Sequence, residues 1–407
     1  MVMQKTGSQK SLKRRLIALA TAFLVSMIAI AAASGQQAAA QPATQPARQA
    51  TTVKPVMVED VFKNVQDLKG IPVNQFMDTM GFFAAALGLN CTGCHVPEAL
   101  QDWSRFADDI PRKRMSRIMI RMVDSINKEK FGGRRMITCW SCHRGGQAVD
   151  NIPSLMAQYS VAPEDPNAIE MVQDAPKEPT ANQILVKYIQ AAGGAQRLAE
   201  LTSWAAKGTY DGYNTYHVKV PVEIFAKAPA QRALFAHTQI ADNTEVFDGG
   251  NGWVAGLDRP LPLLALLPGP ELDGAKLDAM LGFPGSIRQA LTDWKTGFPP
   301  TTIDDKLANI VQGTGAGKTR VKLYFDDKTG LLIRQVRYAD TPIGMVPTQI
   351  DYADYRDVAG VKLPYHIVVT WTDGQTDILL SDIQANVPID TAKFGKPAPA
   401  VARKRGK

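Results

Sequence analysis

The 407 residues are enough for two or three domains, and an apolar content of 45% is ordinary for a globular protein, which argues against a fibrous or fully disordered chain. The net charge of +7 sits at the ends: Lys5, Lys10, Lys13, Arg14 and Arg15 open the chain, Arg403, Lys404, Arg405 and Lys407 close it, and setting these nine cations aside leaves the body at −2. A nucleic-acid binder needs a basic face on its folded body, and this balance supplies none.

Residues 1–33 read as an export signal. A basic segment, Lys10 to Arg15, precedes an apolar run, Leu16 to Ala33, that ends in the small residues Ala31-Ala32-Ala33. The run of 18 is at the lower limit for spanning a bilayer, so an uncleaved inner-membrane anchor is the rival reading. Both place the rest of the protein in the periplasm. Residues 34–56, rich in Ala, Gln, Thr and Pro, predict a disordered spacer.

Residues 57–150 predict a mainly α-helical domain. Val61, Val65 and Leu68 suit one short helical face that stops near Gly70. Pro72 opens a second helix, with Phe76, Met80, Phe83 and Leu87 on one stripe, ending near Gly88. Pro111 opens a third, with Met115, Met119, Met122 and Ile126 in the same pattern, running out at Gly132-Gly133. The last two helices are each followed by Cys-x-x-Cys-His: Cys91-Thr92-Gly93-Cys94-His95, then Cys139-Trp140-Ser141-Cys142-His143. This is the attachment pattern of a c-type haem: two thiols bond the vinyl groups and the adjacent His binds iron. Two copies consume all four cysteines, leaving none for a disulfide. A zinc site or a redox dithiol would leave this arrangement unexplained.

Two covalent haems make His95 and His143 the proximal ligands. The other histidines, His217, His237 and His366, lie far downstream, so a thioether is the natural sixth ligand, and it raises the iron's potential. Met80 is placed for the first haem; for the second, the spacing leaves Met119 and Met122 open. Arg112, Lys113, Arg114, Arg117, Arg121, Arg134, Arg135 and Arg144 make the region locally basic. Arg144, beside His143, is the best partner for a haem propionate, which an Arg can hold through two hydrogen bonds.

The stretch from Val61 to Gly146 resembles the cytochrome c subunit of photosynthetic reaction centres. The likeness is carried by Val61 to Gly70, by Gln75-Phe76-Met77-Asp78-Thr79-Met80, by Met119-Ile120-Arg121-Met122 with Ile126-Asn127, and by Thr138 to Gly145. It implies a haem lying parallel to each motif's preceding helix, with Met80 and Met119 as sixth ligands. Two departures matter. The family subunit usually carries four haems, and its bis-His haem has no distal His counterpart in 57–150.

Residues 151–178, with four prolines, predict a linker. In 179–395, Thr180 caps a helix broken at Gly193-Gly194, after which short alternating strands take over, such as Val218 to Phe225, Arg320 to Phe325 and Tyr365 to Trp371. Their Gly/Asp-rich turns argue for a curved antiparallel sheet, a half-open barrel with short helices from 259–296 over one end. The layout resembles the lipoprotein-carrier fold of the LolA/LolB type, which implies an apolar interior able to take an apolar ligand. Gly313 to Thr319 imitates a phosphate loop, but Gln312 replaces its first Gly and a strand follows, so it reads as a hairpin turn. Residues 396–407 form a basic tail.

The expectation is therefore a multidomain, exported dihaem electron carrier. Its partners would be redox proteins, such as a membrane-bound reaction centre or a respiratory complex. A peroxidase-like enzyme and a haem-bearing carrier or sensor are the alternatives.

Overall fold

The computed structural model describes residues 53–152, 167, 171–172, 178–212, 215 and 217–403. The expected export signal, nearly all of the spacer and most of the 151–178 linker lie outside the described residues.

The N-terminal region opens with a single helical turn, α1 (Val58–Val61). The expected continuation through Val65 and Leu68 is not helical. Phe62 is extended, and Asn64 takes a left-handed conformation with φ 59°. Helix α2 (Val73–Leu87) starts after Pro72 and ends at Gly88, whose φ of 61° closes the last turn as only a residue tolerant of the left-handed region does readily. The two Cys-x-x-Cys-His motifs form short helices, α3 (Cys91–Cys94) and α5 (Cys139–His143). Between them run two 3₁₀ turns, Pro97–Leu100 and Trp103–Ala107, and the longer α4 (Pro111–Phe131). Long irregular connections make the region partly rather than mainly helical, which corrects the expectation. The extended joints are held by side chains instead: buried Asn127 accepts from the Met136 and Ile137 amides and donates to the Ile137 carbonyl, fixing the return from α4 to α5.

The strand β1 (Met171–Val172) precedes α6 (Ala181–Ala191), capped reciprocally by Thr180 and Gln183, and α7 (Ala195–Glu200). Then come β2 (Ser203–Gly212), β3 (Val220–Lys227), β4 (Gln231–His237), β5 (Asp242–Phe247), β6 (Gly252–Ala255) and β7 (Leu263–Ala265). The Pro/Leu-rich interruption supplies α8 (Pro270–Leu281) and α9 (Ile287–Ala290). The chain finishes with β8 (Thr292–Gly297), β9 (Thr301–Ile303), β10 (Lys306–Thr314), β11 (Arg320–Asp326), β12 (Leu332–Thr341), β13 (Gly344–Val358), β14 (Val361–Trp371) and β15 (Gly374–Ala385).

These strands form one antiparallel sheet in the order β1-β8-β10-β11-β12-β13-β14-β15-β2-β3-β4-β5-β6-β7, with β9 pairing β10 off this path. Two meanders are joined where β15 pairs β2. The described strands do not close into a barrel, because β1 and β7 remain at opposite ends of the order. Hairpin turns follow the Gly-rich sequence: Val358 pairs Val361 across Ala359 and Gly360, both at positive φ. The phosphate-loop look-alike is the β10–β11 turn, with Thr314 opposite Arg320. The main core brings Ile184, Leu185 and Tyr188 of α6 against Ile224, Leu323 and Ile378 of the sheet.

A second core joins the two regions. Phe82 and Ala86 of α2, Ile120 of α4 and Cys139 of α5 pack with Ile343 and Val346 at the β12–β13 hairpin. Phe82 lies so close over Gly344 that a Cβ there would meet its ring at 2.3 Å. Arg135 grips Asp340 with contacts of 2.6 and 2.7 Å, and Gln75 donates to the Asp340 carbonyl.

Candidate functional site

The two Cys-x-x-Cys-His segments become helical turns for local reasons. At the first, the Asn90 side chain accepts from the Gly93 amide, and Arg112 of α4 donates to the Gly93 carbonyl at 2.6 Å. At the second, Thr138 and Ser141 form a reciprocal cap. Such a turn puts both thiols on one side and the His just beyond. Cys91 and Cys94 are half-buried, Cys139 is buried and Cys142 exposed.

Around the first motif lies a cavity of about 1160 Å³. Met80, Cys91, Cys94 and His95 all border it, as do Trp103 and Phe106. The structure thus brings the expected thioether to the same void as the expected thiols and imidazole. Burial, followed by the positive charge of Lys113, lowers the His95 pKa to about 4, so its ring is neutral and keeps a lone pair for a metal. Its Nδ1 is buried and has no hydrogen-bond partner among the described residues. Burial also raises the Cys94 thiol, and it pushes Cys139 up to about 11.

Aromatic rings wall this space. His95 meets Phe106 edge-on at 4.8 Å, Phe106 contacts Trp103 at 5.3 Å, Trp103 stacks on Phe62 at 6.1 Å, and Phe62 meets Phe76 at 5.4 Å. The loop that carries Trp103 and Phe106 is held by polar contacts. Asn64 donates to the Ala107 carbonyl, Lys113 to the Phe106 carbonyl, and Arg117 pairs with Asp109 at 2.9 Å. Trp103 and Phe106 were not legible as part of a site, since they fall in a polar stretch without periodicity.

The second motif is arranged differently. His143 Nδ1 lies 3.1 Å from the Gly146 carbonyl, which suits a tautomer that donates there and leaves Nε2 free for a metal. Helix α5 packs on α2, with the Gly145 amide bonded to the Ala86 carbonyl at 2.9 Å. The α4 residues bordering the large cavity are Lys113, Ser116, Arg117 and Ile120, so Met119 is not brought to the first site. Met119 is half-buried, whereas Met122 is 43% exposed.

The basic residues are largely committed to other work. Arg117 pairs with Asp109, Arg121 with Asp67 and Arg135 with Asp340. Arg144 is exposed at φ 49°, and its guanidinium makes no ion pair among the described residues. The downstream histidines are dispersed: His217 faces Asp211, His237 lies between Asp242 and Glu223, and His366 faces Asp377.

A feature absent from the sequence reading lies where α2 meets the sheet. Asp78, Glu271 and Asp373 border the same cavity, with Arg259. Burial, then the negative charges of Glu271 and Asp373, raises Asp78 to about 7. Asn74 of α2 donates to Glu271 at 2.6 Å across this joint. These carboxylates are far apart in sequence, so no spacing could reveal them.

Residues 24–187 match the family model described as photosynthetic reaction centre cytochrome C subunit. Over 90 residues the chain is 34% identical to the photosynthetic reaction center cytochrome c subunit of Thermochromatium tepidum. That alignment covers 21% of this chain and 21% of the relative, so the chain spans about a fifth of that protein's length. The resemblance read from the motifs is thus shown for the N-terminal segment. Among solved structures, a DUF1329 family protein from Desulfovibrio piger has a TM-score of 0.36 at 10% identity, covering 51% of this chain and 95% of that one. A LolA superfamily protein from Nitrosomonas europaea has 0.35 at 14% identity, covering 54% and 99%. Likenesses this loose to the sheet region bear on no functional question.

Proposed function

We propose that this chain is an exported dihaem c-type cytochrome that carries single electrons between redox proteins. The observation that carries the reading is the convergence of Met80, Cys91, Cys94 and His95 on one aromatic-walled cavity. The donor set suits a covalent haem. Cys91 and Cys94 would tether it and the neutral imidazole of His95 and the thioether of Met80 would hold its iron, with no carboxylate or further thiol needed. When bound, the group supplies a one-electron change of iron valence.

The chain's own residues do the rest. Trp103, Phe106 and Phe76 exclude water, which favours the less charged iron state. Arg112 fixes the Cys91–Cys94 turn through Gly93. At the second site, the Gly146 carbonyl orients His143, and Met119 and Arg144 would hold the second haem's iron and a propionate. The partner is a membrane-bound redox complex, of which a reaction centre is one kind, and the N-terminal segment delivers the protein to the periplasm or holds it at the inner membrane. Among the described residues no helix is long and apolar enough to cross a membrane.

A redox titration of the exported protein with optical and magnetic detection tests this reading. The expected result is two haems per chain, confirmed as covalent by intact mass, both low-spin with His–Met ligation. A protein of unmodified polypeptide mass from a host competent in haem attachment would sink it.

A further inference from the structure

The basic tail that the sequence places at 396–407 is tied to the sheet over its described part. Ile389 and Phe394 pack with Ala233, Val246 and Trp253 across β4, β5 and β6. The Lys393 ammonium lies 4.7 Å from the centre of the Phe225 ring and 5.0 Å from that of Phe235. The chain then runs as a strap past two loops. The Ala400 amide donates to the Pro262 carbonyl in the β6–β7 loop at 2.9 Å, and the Arg403 amide donates to the Ile240 carbonyl in the β4–β5 turn at 2.7 Å. The Arg403 guanidinium donates to the Thr238 carbonyl and to Asp242 of the same turn. The cations that follow Arg403 in the chain therefore start from the tip of the β4–β5 turn.

That tip carries exposed apolar side chains as well as charge. Ile240 is 60% exposed and Val401 78%. Val222 of β3 pairs with Ala236 of β4, and Val218 and Ile240 lie equally far beyond that pair, so the exposed Val218 stands at the same end of the strands. From Thr391 to Lys407 the chain holds Lys393, Lys396, Arg403, Lys404, Arg405 and Lys407 and no Asp or Glu. The carboxylates at the turn are already engaged, Asp242 with Arg403 and His237, and Glu223 with His237. In the neighbouring β6–β7 loop, Asp258 lies 3.9 Å from Arg259. Exposed aliphatic side chains beside a run of cations complement a surface that is negatively charged outside and apolar beneath.

We propose that this end of the sheet docks on an anionic lipid bilayer. Val218, Ile240 and Val401 enter the bilayer interface, and Lys404, Arg405 and Lys407 are drawn to lipid phosphates. The hairpin tip at Gly344, over which Phe82 packs, lies at the same end of the strands. Docking therefore brings the N-terminal region to the membrane that holds the redox partner. That consequence rests on the proposed function, whereas the docking itself rests on the strap and the sheet alone.

The test uses the full-length exported protein and vesicles of equal parts phosphatidylglycerol and phosphatidylcholine, read by hydrogen exchange of residues 238–242. Exchange there is expected to slow with these vesicles and not with phosphatidylcholine alone. The slowing should vanish in molar salt, which cuts the screening length to about 3 Å. Each cation near an anionic surface is worth roughly fivefold in affinity, so Lys404→Gln, Arg405→Gln and Lys407→Gln combined should raise the vesicle concentration required roughly a hundredfold. Ile240→Ser, which leaves the tail charge intact at a side chain already exposed, should raise it several-fold. The local readout stays decisive where the N-terminal segment also holds the vesicle. Unaltered exchange with the anionic vesicles, equal slowing by phosphatidylcholine, or an unchanged titration in either variant would each overturn the inference. Slowing by polyglutamate but not by the vesicles would assign the surface to an acidic protein and overturn it as well. Haem content, read separately from the absorbance of the same sample, tests the electron-carrier reading and leaves these outcomes unaffected.

Discussion

At the scale of single residues, the chemistry depends on which side chains reach the cavity and in what ionic form. Met80 borders the void that Cys91, Cys94 and His95 share, and its sulfur is the sixth donor proposed above. Met80→His, which keeps a strong ligand but removes the thioether, is expected to lower the potential of one haem, within a range of roughly 0.8 V that axial ligands command. Spectroelectrochemistry would show one titration wave displaced and the other unmoved; two unmoved waves would remove Met80 from the site. The joint carboxylates make a separate prediction. Burial raises Asp373 above its ordinary 3.8. The unfolded chain releases that proton earlier than the folded one does. Its contribution to stability is therefore complete below about pH 4 and is lost as pH rises through the raised value. Asp373→Asn keeps an acceptor for Trp371 and removes the titration, so melting temperature should vary less with pH above 4 than in the parent protein. An unchanged pH profile would show that this carboxylate is not desolvated.

At the scale of elements, α2 serves both regions. One side of it presents Met80 to the cavity, and Phe82 packs over Gly344 at the β12–β13 hairpin. Phe82→Ala removes a buried ring from the cluster that joins the two regions, at a cost of about 3–5 kcal/mol. Chemical denaturation should show this as a lower midpoint, and loss under about 1 kcal/mol would mean the two regions barely support each other. Arg135 and Asp340 cross the same boundary, but the pair is 35% and 60% exposed, so Arg135→Ala should cost under about 1 kcal/mol. The contrast between these two substitutions separates packing from charge as the cause of the union.

At the scale of the whole molecule, residues 47–407 form one compact unit. The N-terminal region and the sheet share the cluster of Phe82, Cys139, Ile343 and Val346, so the N-terminal region lacks a complete core of its own. A fragment of residues 53–152 is expected to expose this face and to lack the sharp near-UV circular dichroism of the full chain. A fragment that melts cooperatively at the parent temperature would contradict this.

The sequence by itself determined whatever depends on near neighbours along the chain. Cys-x-x-Cys-His is a local pattern, and so are the Pro and Gly that bound α2, the Thr180–Gln183 cap, and the alternation that announces β11 and β14. Helix α1 stopped short because Asn64 favours a left-handed turn over continuing a weak apolar stripe. Only the tertiary structure decided which groups meet across long separations. It walled the first motif with Trp103 and Phe106 and gathered Asp78, Glu271 and Asp373 at one joint. Those meetings arise from how strands order themselves in a sheet and where a helix docks on it. That order is set by burial of apolar area summed over the whole chain, which no short window of residues contains.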